Sequence, residues 1–140
     1  MNLVRLIYCS RFAPDLGSAA LQAIVSESRK NNPAHGITGV LCYGPGVFLQ
    51  CLEGPREAVN RLYVKIAQDL RNRDVTLLEY DDIAERVFGQ WSMAYVRAED
   101  LSEGPAGFFG DRQRFDPFTF SAGSALLFVR SLLGEKEKFN

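Results

Sequence analysis

The amino-acid sequence predicts an α+β fold in which one mixed sheet is flanked by helices. Three observations support this prediction. The chain has 140 residues, which is the size of one domain with a substantial core. Strand-like apolar runs and segments with helical spacing follow one another in the order β-α-β-β-α-β-β, separated by glycine and proline breaks. That order is the split β-α-β, or ferredoxin-like, pattern with one added edge strand.

The first half of the chain supplies three strands and one helix. Residues 3–12 are strand-like and end at a Pro-Asp-Leu-Gly break. Apolar residues then recur at helical spacing over residues 18–32, after a serine that is a good N-cap. Strands at 37–43 and 47–53 are joined by a Gly-Pro-Gly sequence, which is typical of a tight hairpin connection.

The second half supplies the remaining elements. A helix is predicted to begin at Pro55 and to carry an apolar stripe as far as Leu70, and two strands follow at 75–80 and 91–97. Right-handed crossovers place the first two helices on the same face of the sheet. A last apolar helix at 121–133 is expected to cover the other face, a partner subunit, or both.

Composition and charge argue against several functions. The net charge is −1 with both signs interspersed, so neither nucleic-acid nor membrane-surface binding is expected as the main activity. No apolar run approaches the roughly 20 residues of a membrane helix, and no signal peptide opens the chain. Three cysteines in strand-like runs indicate reduced thiols of a cytoplasmic protein. With His35 as the single histidine and no C-x-x-C pair, no metal site is expected.

Gln50 is the most informative polar residue of the chain. Strand alternation puts its carboxamide on the same face as Phe48, toward the core. The first and third strands of a split β-α-β sheet are usually neighbours, so Tyr8 is predicted to lie beside Gln50 on the face toward the two helices. Two interpretations are open at this point: a satisfied core pair, or a hydrogen-bond switch, since rotating the amide exchanges its donor and acceptor.

The two helices offer side chains that suit a ligand. Each presents an isoleucine to the space between the helices and the sheet, and the sequence places polar residues around these isoleucines. A slot with apolar walls and a polar rim would accept a flat ring with polar edges. The same residues also have ordinary interpretations, because a Lys/Asp pair one turn apart is usually a surface ion pair and paired asparagines often end a helix.

Four separated motifs resemble the BLUF family of flavin-binding blue-light photoreceptors. They are Leu-Ile-Tyr-Cys-Ser at 6–10, Asn-Asn-x-x-x-x-x-Thr-Gly at 31–39, Gly-Val-Phe-Leu-Gln-x-Leu-Glu-Gly at 46–54, and Trp-Ser-Met at 91–93. They stand in the family's order and spacing. The resemblance covers residues 1–97, which it identifies as the photosensor domain, and leaves 98–140 as a helical extension like that of the short stand-alone members.

The resemblance implies a role for each of these residues. Tyr8 would be the photochemical electron and proton donor, and Gln50 would lie between Tyr8 and the N5/O4 edge of FAD. The other implied flavin-binding residues are Ile24 and Ile66 on the two ring faces, Ser28 and Phe48 lining them, Asn31 and Asn32 at the C4 and N3 side, and Lys65, Asp69 and Arg71 at the ribityl chain or O2 edge. Trp91 and Met93 would lie on the strand that carries the signal.

The implied function is a photocycle without net substrate turnover, so the chain is not expected to be an enzyme. Only about 43 residues follow the sensor, fewer than a typical domain. The signal is therefore expected to reach a separate, unidentified partner protein or to rearrange a homodimer. Two alternatives remain open: a flavin-dependent oxidoreductase, and a flavin-free regulatory module that binds another small molecule.

Overall fold

The computed structural model describes residues 2–12, 18–101 and 115–135, and it consists of one mixed sheet and three α-helices. In chain order the elements are β1 (Leu3–Phe12), α1 (Ser18–Asn31), β2 (Thr38–Gly44), β3 (Val47–Pro55), α2 (Arg56–Gln68), β4 (Asn72–Ile83), β5 (Ala94–Arg97) and α3 (Ala122–Ser131). A short 3-10 turn, Asn32–His35, follows α1 directly.

The sheet has the strand order β4-β1-β3-β2-β5, which confirms the ferredoxin-like prediction. β1 is antiparallel to both β3 and β4, β2 is antiparallel to β3, and the added edge strand β5 is parallel to β2. The hairpin between β2 and β3 turns at Gly46, whose φ of 74° is a conformation that glycine adopts at little cost. The two central strands, β1 and β3, place Tyr8 directly opposite Gln50.

Each face of the sheet is covered by helices, as the sequence predicts. On one face α1 and α2 pack on strand residues through Leu21, Val25 and Val59. On the other face α3 packs through Ala125, Phe128 and Val129. Because both faces are covered, nearly every residue of β3 is buried, and strand alternation divides the side chains of β1 and β3 between the two cores.

The structure corrects three boundaries drawn from the sequence. The last strand begins at Ala94 rather than at residue 91, because the N–H of Trp91 turns back to the carbonyl of Phe88. β4 runs from 72 to 83 and is longer than predicted. The second helix ends at Gln68, so Leu70 does not extend its apolar stripe and is 92% exposed.

A buried carboxylate holds the connection between β4 and β5 against the sheet. Glu53 on β3 is fully buried and accepts hydrogen bonds from the backbone N–H of Val87 (3.0 Å) and of Phe88 (2.7 Å). The guanidinium of Arg5 on β1 lies 3.2 Å from the same carboxylate and 3.6 Å from that of Glu79. This arrangement fixes the segment that leads from β4 to Trp91 and Met93.

The three cysteines lie in strands of the sheet. Cys9, Cys42 and Cys51 are free and buried in β1, β2 and β3, as predicted, and burial raises the pKa of Cys9 to about 11. In the part of the chain that the structure describes, no helix is long and apolar enough to cross a membrane. The same described part holds no group of three or more side chains suited to a metal ion.

Candidate functional site

A cavity of about 480 Å³ lies between the sheet and the helices α1 and α2. This volume is within the usual range for a small-molecule site. The cavity is lined by every residue that the sequence assigns to cofactor binding: Tyr8, Ile24, Ser28, Asn31, Asn32, Phe48, Gln50, Lys65, Ile66, Asp69 and Arg71. The fold therefore brings these residues, which come from β1, α1, β3, α2 and the segments that follow the helices, around one space.

The inner end of the cavity is formed by a buried phenol and a buried amide. The hydroxyl of Tyr8 donates a hydrogen bond to Oε1 of Gln50 over 2.5 Å, and the two side chains are only 3% and 5% exposed. Burial, with smaller contributions from Tyr63 and Asp69, raises the pKa of Tyr8 well above its ordinary value. The phenol is therefore neutral and keeps its proton on the hydrogen bond to Gln50.

The other end of the Gln50 amide faces the last strand region. Its Nε2 donates to Sδ of Met93 over 3.4 Å, a contact with a weak acceptor. The carbonyl of Met93 in turn accepts a hydrogen bond from Nε of Arg29 on α1 over 2.8 Å. Gln50 is thus placed between Tyr8 on one side and the segment leading into β5 on the other.

Trp91 and Met93 do not share an environment. Met93 belongs to the core beneath α1 and α2, whereas Trp91 packs against Phe88, with ring centroids 5.5 Å apart, in the core beneath α3. The sequence assigned both residues to one signalling strand. The structure separates them because β5 begins only at Ala94, so the side chains of residues 91–93 do not alternate as in a strand.

Asn32 has the one buried side-chain nitrogen without a hydrogen-bond partner among the described residues. The residue is 3% exposed, yet its Nδ2 has no acceptor. Its backbone carbonyl is already bonded to the N–H of Ile37, which fixes the turn that follows α1. A buried amide N–H without a partner is unfavourable by roughly 1–3 kcal/mol, so this donor is suited to a ligand acceptor in the cavity.

The side walls are apolar and the outer end is charged. Ile24 and Ile66 are partly buried on the two helices, and the Ser28 hydroxyl donates to the carbonyl of Ile24. At the outer end the guanidinium of Arg71 donates to both oxygens of Asp69, the shortest distance being 2.6 Å. This hydrogen bond is the main reason why the pKa of Asp69 is lowered.

The structure therefore changes one pairing suggested by helical spacing. Lys65 and Asp69 are one turn apart in sequence, but the helix has ended before Asp69, whose carboxylate pairs with Arg71 instead. Arg71 also lies beyond the end of α2 and reaches the cavity from the following turn.

Four polar residues of the cavity are missing from the sequence-based set: Glu27, His35, Arg61 and Asn72. Arg61 precedes Lys65 by four residues on α2, so helical spacing could have identified it. Asn72 was missed because β4 begins earlier than predicted; its side chain accepts from Ser10 and donates to the carbonyl of Ile66. His35 is exposed, as expected for a turn residue, but it lies at the cavity rim.

The fold and the cavity define an α+β domain with a ligand-sized cavity that has apolar walls and polar side chains at its ends. The profile of the BLUF family, described as sensors of blue light using FAD, matches residues 3–94. The chain belongs to this family.

Two solved structures of similar proteins resemble the fold along nearly its whole length. The photo-activated state of BlsA has a TM-score of 0.83 and 34% sequence identity, with 94% of each chain covered. The dark state of BlrB, a BLUF protein, has a TM-score of 0.80 and 29% identity, with 96% of this chain and 97% of that chain covered. The resemblance to the short BLUF proteins is thus not confined to the sensor motifs.

Curated relatives match over a smaller share of their own length. A photoactivated adenylate cyclase subunit beta-like protein of Euglena gracilis is 36% identical over 105 residues, which is 74% of this chain and 12% of that protein. The cyclase subunit beta of the same organism matches to the same extent. The chain therefore spans about an eighth of these relatives.

The residues present fit the FAD that the family uses. The Nδ2 of Asn32 lacks an acceptor among the described groups, and a flavin ring carries carbonyl and imine acceptors along one edge. The walls beside this amide are aliphatic or aromatic, and the inner end carries no formal charge. These features suit the insertion of a neutral, flat ring between α1 and α2.

Proposed function

We propose that this chain senses blue light through the hydrogen bond between Tyr8 and Gln50, with FAD held in the cavity between α1 and α2. The observation that carries the proposal is the 2.5 Å contact between the Tyr8 hydroxyl and Oε1 of Gln50 at the buried end of that cavity. When bound, FAD supplies the absorption of blue light and an excited state that accepts an electron.

The residues that line the cavity have different roles in this function. Tyr8 is the electron donor within the cavity, and its hydroxyl proton moves along the existing hydrogen bond toward Oε1 of Gln50. Burial favours this coupled transfer, because a charged phenolic group at a buried site is costly. Asn32 holds the ring edge through its otherwise unpartnered Nδ2, and the two isoleucines exclude water from the ring faces.

After the electron returns to Tyr8, the Gln50 amide would remain in a rotated or tautomerised form. Rotation of the carboxamide about the Cγ–Cδ bond exchanges the positions of Oε1 and Nε2, and tautomerisation moves a proton from Nε2 to Oε1. Either change alters what the amide presents to Sδ of Met93, its present acceptor at 3.4 Å. The population of two poses of the segment before β5 would then depend on light.

The output would leave the sensor by contacts with another protein. We place the sensor domain at 1–97 and the extension at 98–140. The α3 helix of the extension packs on the sheet face opposite the cavity and leaves Leu127 63% exposed. A cytoplasmic partner protein or a second copy of the chain could bind there, and the names of the cyclase relatives indicate that the family's sensor can act on an effector.

Reconstitution with FAD tests the proposal. The protein is expected to bind FAD, to shift its absorption to longer wavelength under blue light, and to recover in darkness. A protein that cannot bind FAD contradicts the photoreceptor assignment. Bound FAD that shows no reversible shift, but is reduced by an added electron donor and reoxidised with turnover, would favour the oxidoreductase alternative.

A further inference from the structure

Two cations at the outer part of the cavity have no partner in the described part of the chain. Arg61 and Lys65 both line the cavity and are both exposed. They lie four residues apart on α2, which places them on the same face one turn apart. The row of Ala58, Leu62 and Ile66 beside them forms the apolar wall of the same cavity.

The third cation of the cavity is already neutralised. The guanidinium of Arg71 lies 2.6 Å from the Asp69 carboxylate and 3.5 Å from that of Glu27. An anionic ligand group would have to compete with two carboxylates for Arg71. It would meet no such competitor at Arg61 or Lys65 among the described residues.

The two ends of the cavity thus differ in burial and in charge. The inner end is buried and carries only neutral groups, Tyr8, Asn32 and Gln50. The outer end is exposed and has two positive charges that lack a partner among the described residues. FAD has the same asymmetry, since a neutral ring is joined through a ribityl chain to a diphosphate.

We propose that Arg61 and Lys65 bind the diphosphate of FAD and set the preference of this protein for phosphorylated flavins over riboflavin. The inference rests on the proposed function, because it requires the ring to occupy the inner end. Arginine can contact two phosphate oxygens at once, whereas lysine acts as a single strong positive charge. Since both side chains are exposed, their attraction for the diphosphate is screened by salt.

Binding of three flavins to the apoprotein tests this assignment. FAD, FMN and riboflavin are titrated at low and high salt while quenching of flavin fluorescence is followed, for the parent protein and for Arg61→Ala/Lys65→Ala. The double variant is expected to bind FAD about tenfold more weakly at low salt, the size expected for two exposed ionic contacts. Its affinity for riboflavin should be unchanged, and its FAD affinity should depend less on salt.

A matched control removes two charges elsewhere. Lys30 and Arg130 are exposed and do not line the cavity, so Lys30→Ala/Arg130→Ala should retain the parent preference for FAD. Equal losses of FAD and riboflavin affinity in the Arg61/Lys65 variant, or no loss for FAD, would overturn the diphosphate assignment alone. If the parent protein bound none of the three flavins, both this assignment and the proposed function would be wrong.

Discussion

Tyr8→Phe is expected to bind FAD and to lose the light-induced absorption shift. The substitution keeps the ring that packs 5.7 Å from the ring of Tyr63, but it removes the hydroxyl that donates to Oε1 of Gln50. Without that hydroxyl, the proton that should follow the electron is missing from the inner end of the cavity. The measurement is the light-minus-dark absorption spectrum of the FAD-loaded variant, and the normal shift should be abolished.

Tyr63→Phe is the matched control for this experiment. Tyr63 is a second tyrosine close to Tyr8, but its ring is only partly buried and no hydrogen bond from it to Gln50 is found in the described structure. This variant should keep the shift and its recovery in darkness. A normal shift in Tyr8→Phe would show that Tyr8 is not the electron and proton donor. Loss of the shift in Tyr63→Phe alone would indicate that Tyr63 is the donor instead.

Glu53→Ala is expected to lower the free energy of unfolding by about 3–5 kcal/mol, the usual effect of breaking a buried ion pair. The substitution leaves Arg5 without its closest carboxylate and leaves the N–H groups of Val87 and Phe88 without their acceptor. Total stabilities of domains are about 5–15 kcal/mol, so the variant would retain little margin. Urea unfolding followed by circular dichroism measures the loss.

An exposed ion pair provides the comparison. Arg56 and Asp82 lie 2.6 Å apart, but both side chains are well exposed, so Asp82→Ala should change the free energy of unfolding far less than Glu53→Ala. Similar small losses for both variants would mean that the Glu53 carboxylate does not hold the β4–β5 connection. The more conservative Glu53→Gln should lie between the two, because the amide oxygen still accepts a hydrogen bond.

Much of the fold could be predicted because the relevant patterns are local. Alternation along the first and third strands correctly assigns Ile7, Cys9 and Leu49 to one core and Tyr8 and Gln50 to the other. Chain order and the handedness of crossovers then place α1 and α2 on one face. The pairing of Tyr8 with Gln50 follows from these two arguments, and the structure confirms it in the register of β1 and β3.

The errors occur where tertiary contacts override local patterns. Leu70 fits the apolar stripe of α2, but the helix ends at Gln68, where the N–H of Asp69 turns back to the carbonyl of Ile66. Trp91 looks like a strand residue, yet its backbone N–H bonds to Phe88 and its ring enters the opposite core. Neither hydrogen bond is encoded by the spacing of apolar residues.

For the polar residues of the site, too, the sequence predicted some features and missed those that depend on tertiary contacts. The family resemblance implies flavin-binding roles for Asn32, Gln50 and Asp69, and all three line the cavity. A charged side chain is available to a ligand only if it is not already in an ion pair within the protein. The sequence did not predict which arginines form such ion pairs. Arg71 is paired with Asp69 and Glu27, whereas Arg61, to which the family resemblance assigns no role, remains without a partner among the described residues.

In the proposed photocycle, the side-chain amide of Gln50 is the switch. The most direct measurement is the light-minus-dark spectrum and dark recovery of FAD-loaded Gln50→Leu, compared with the parent protein. Leucine keeps the approximate volume but removes the acceptor for Tyr8 and the donor to Met93. We expect the variant to bind FAD and to show no normal shift. If it shifts and recovers like the parent protein, the Gln50 amide is not the switch.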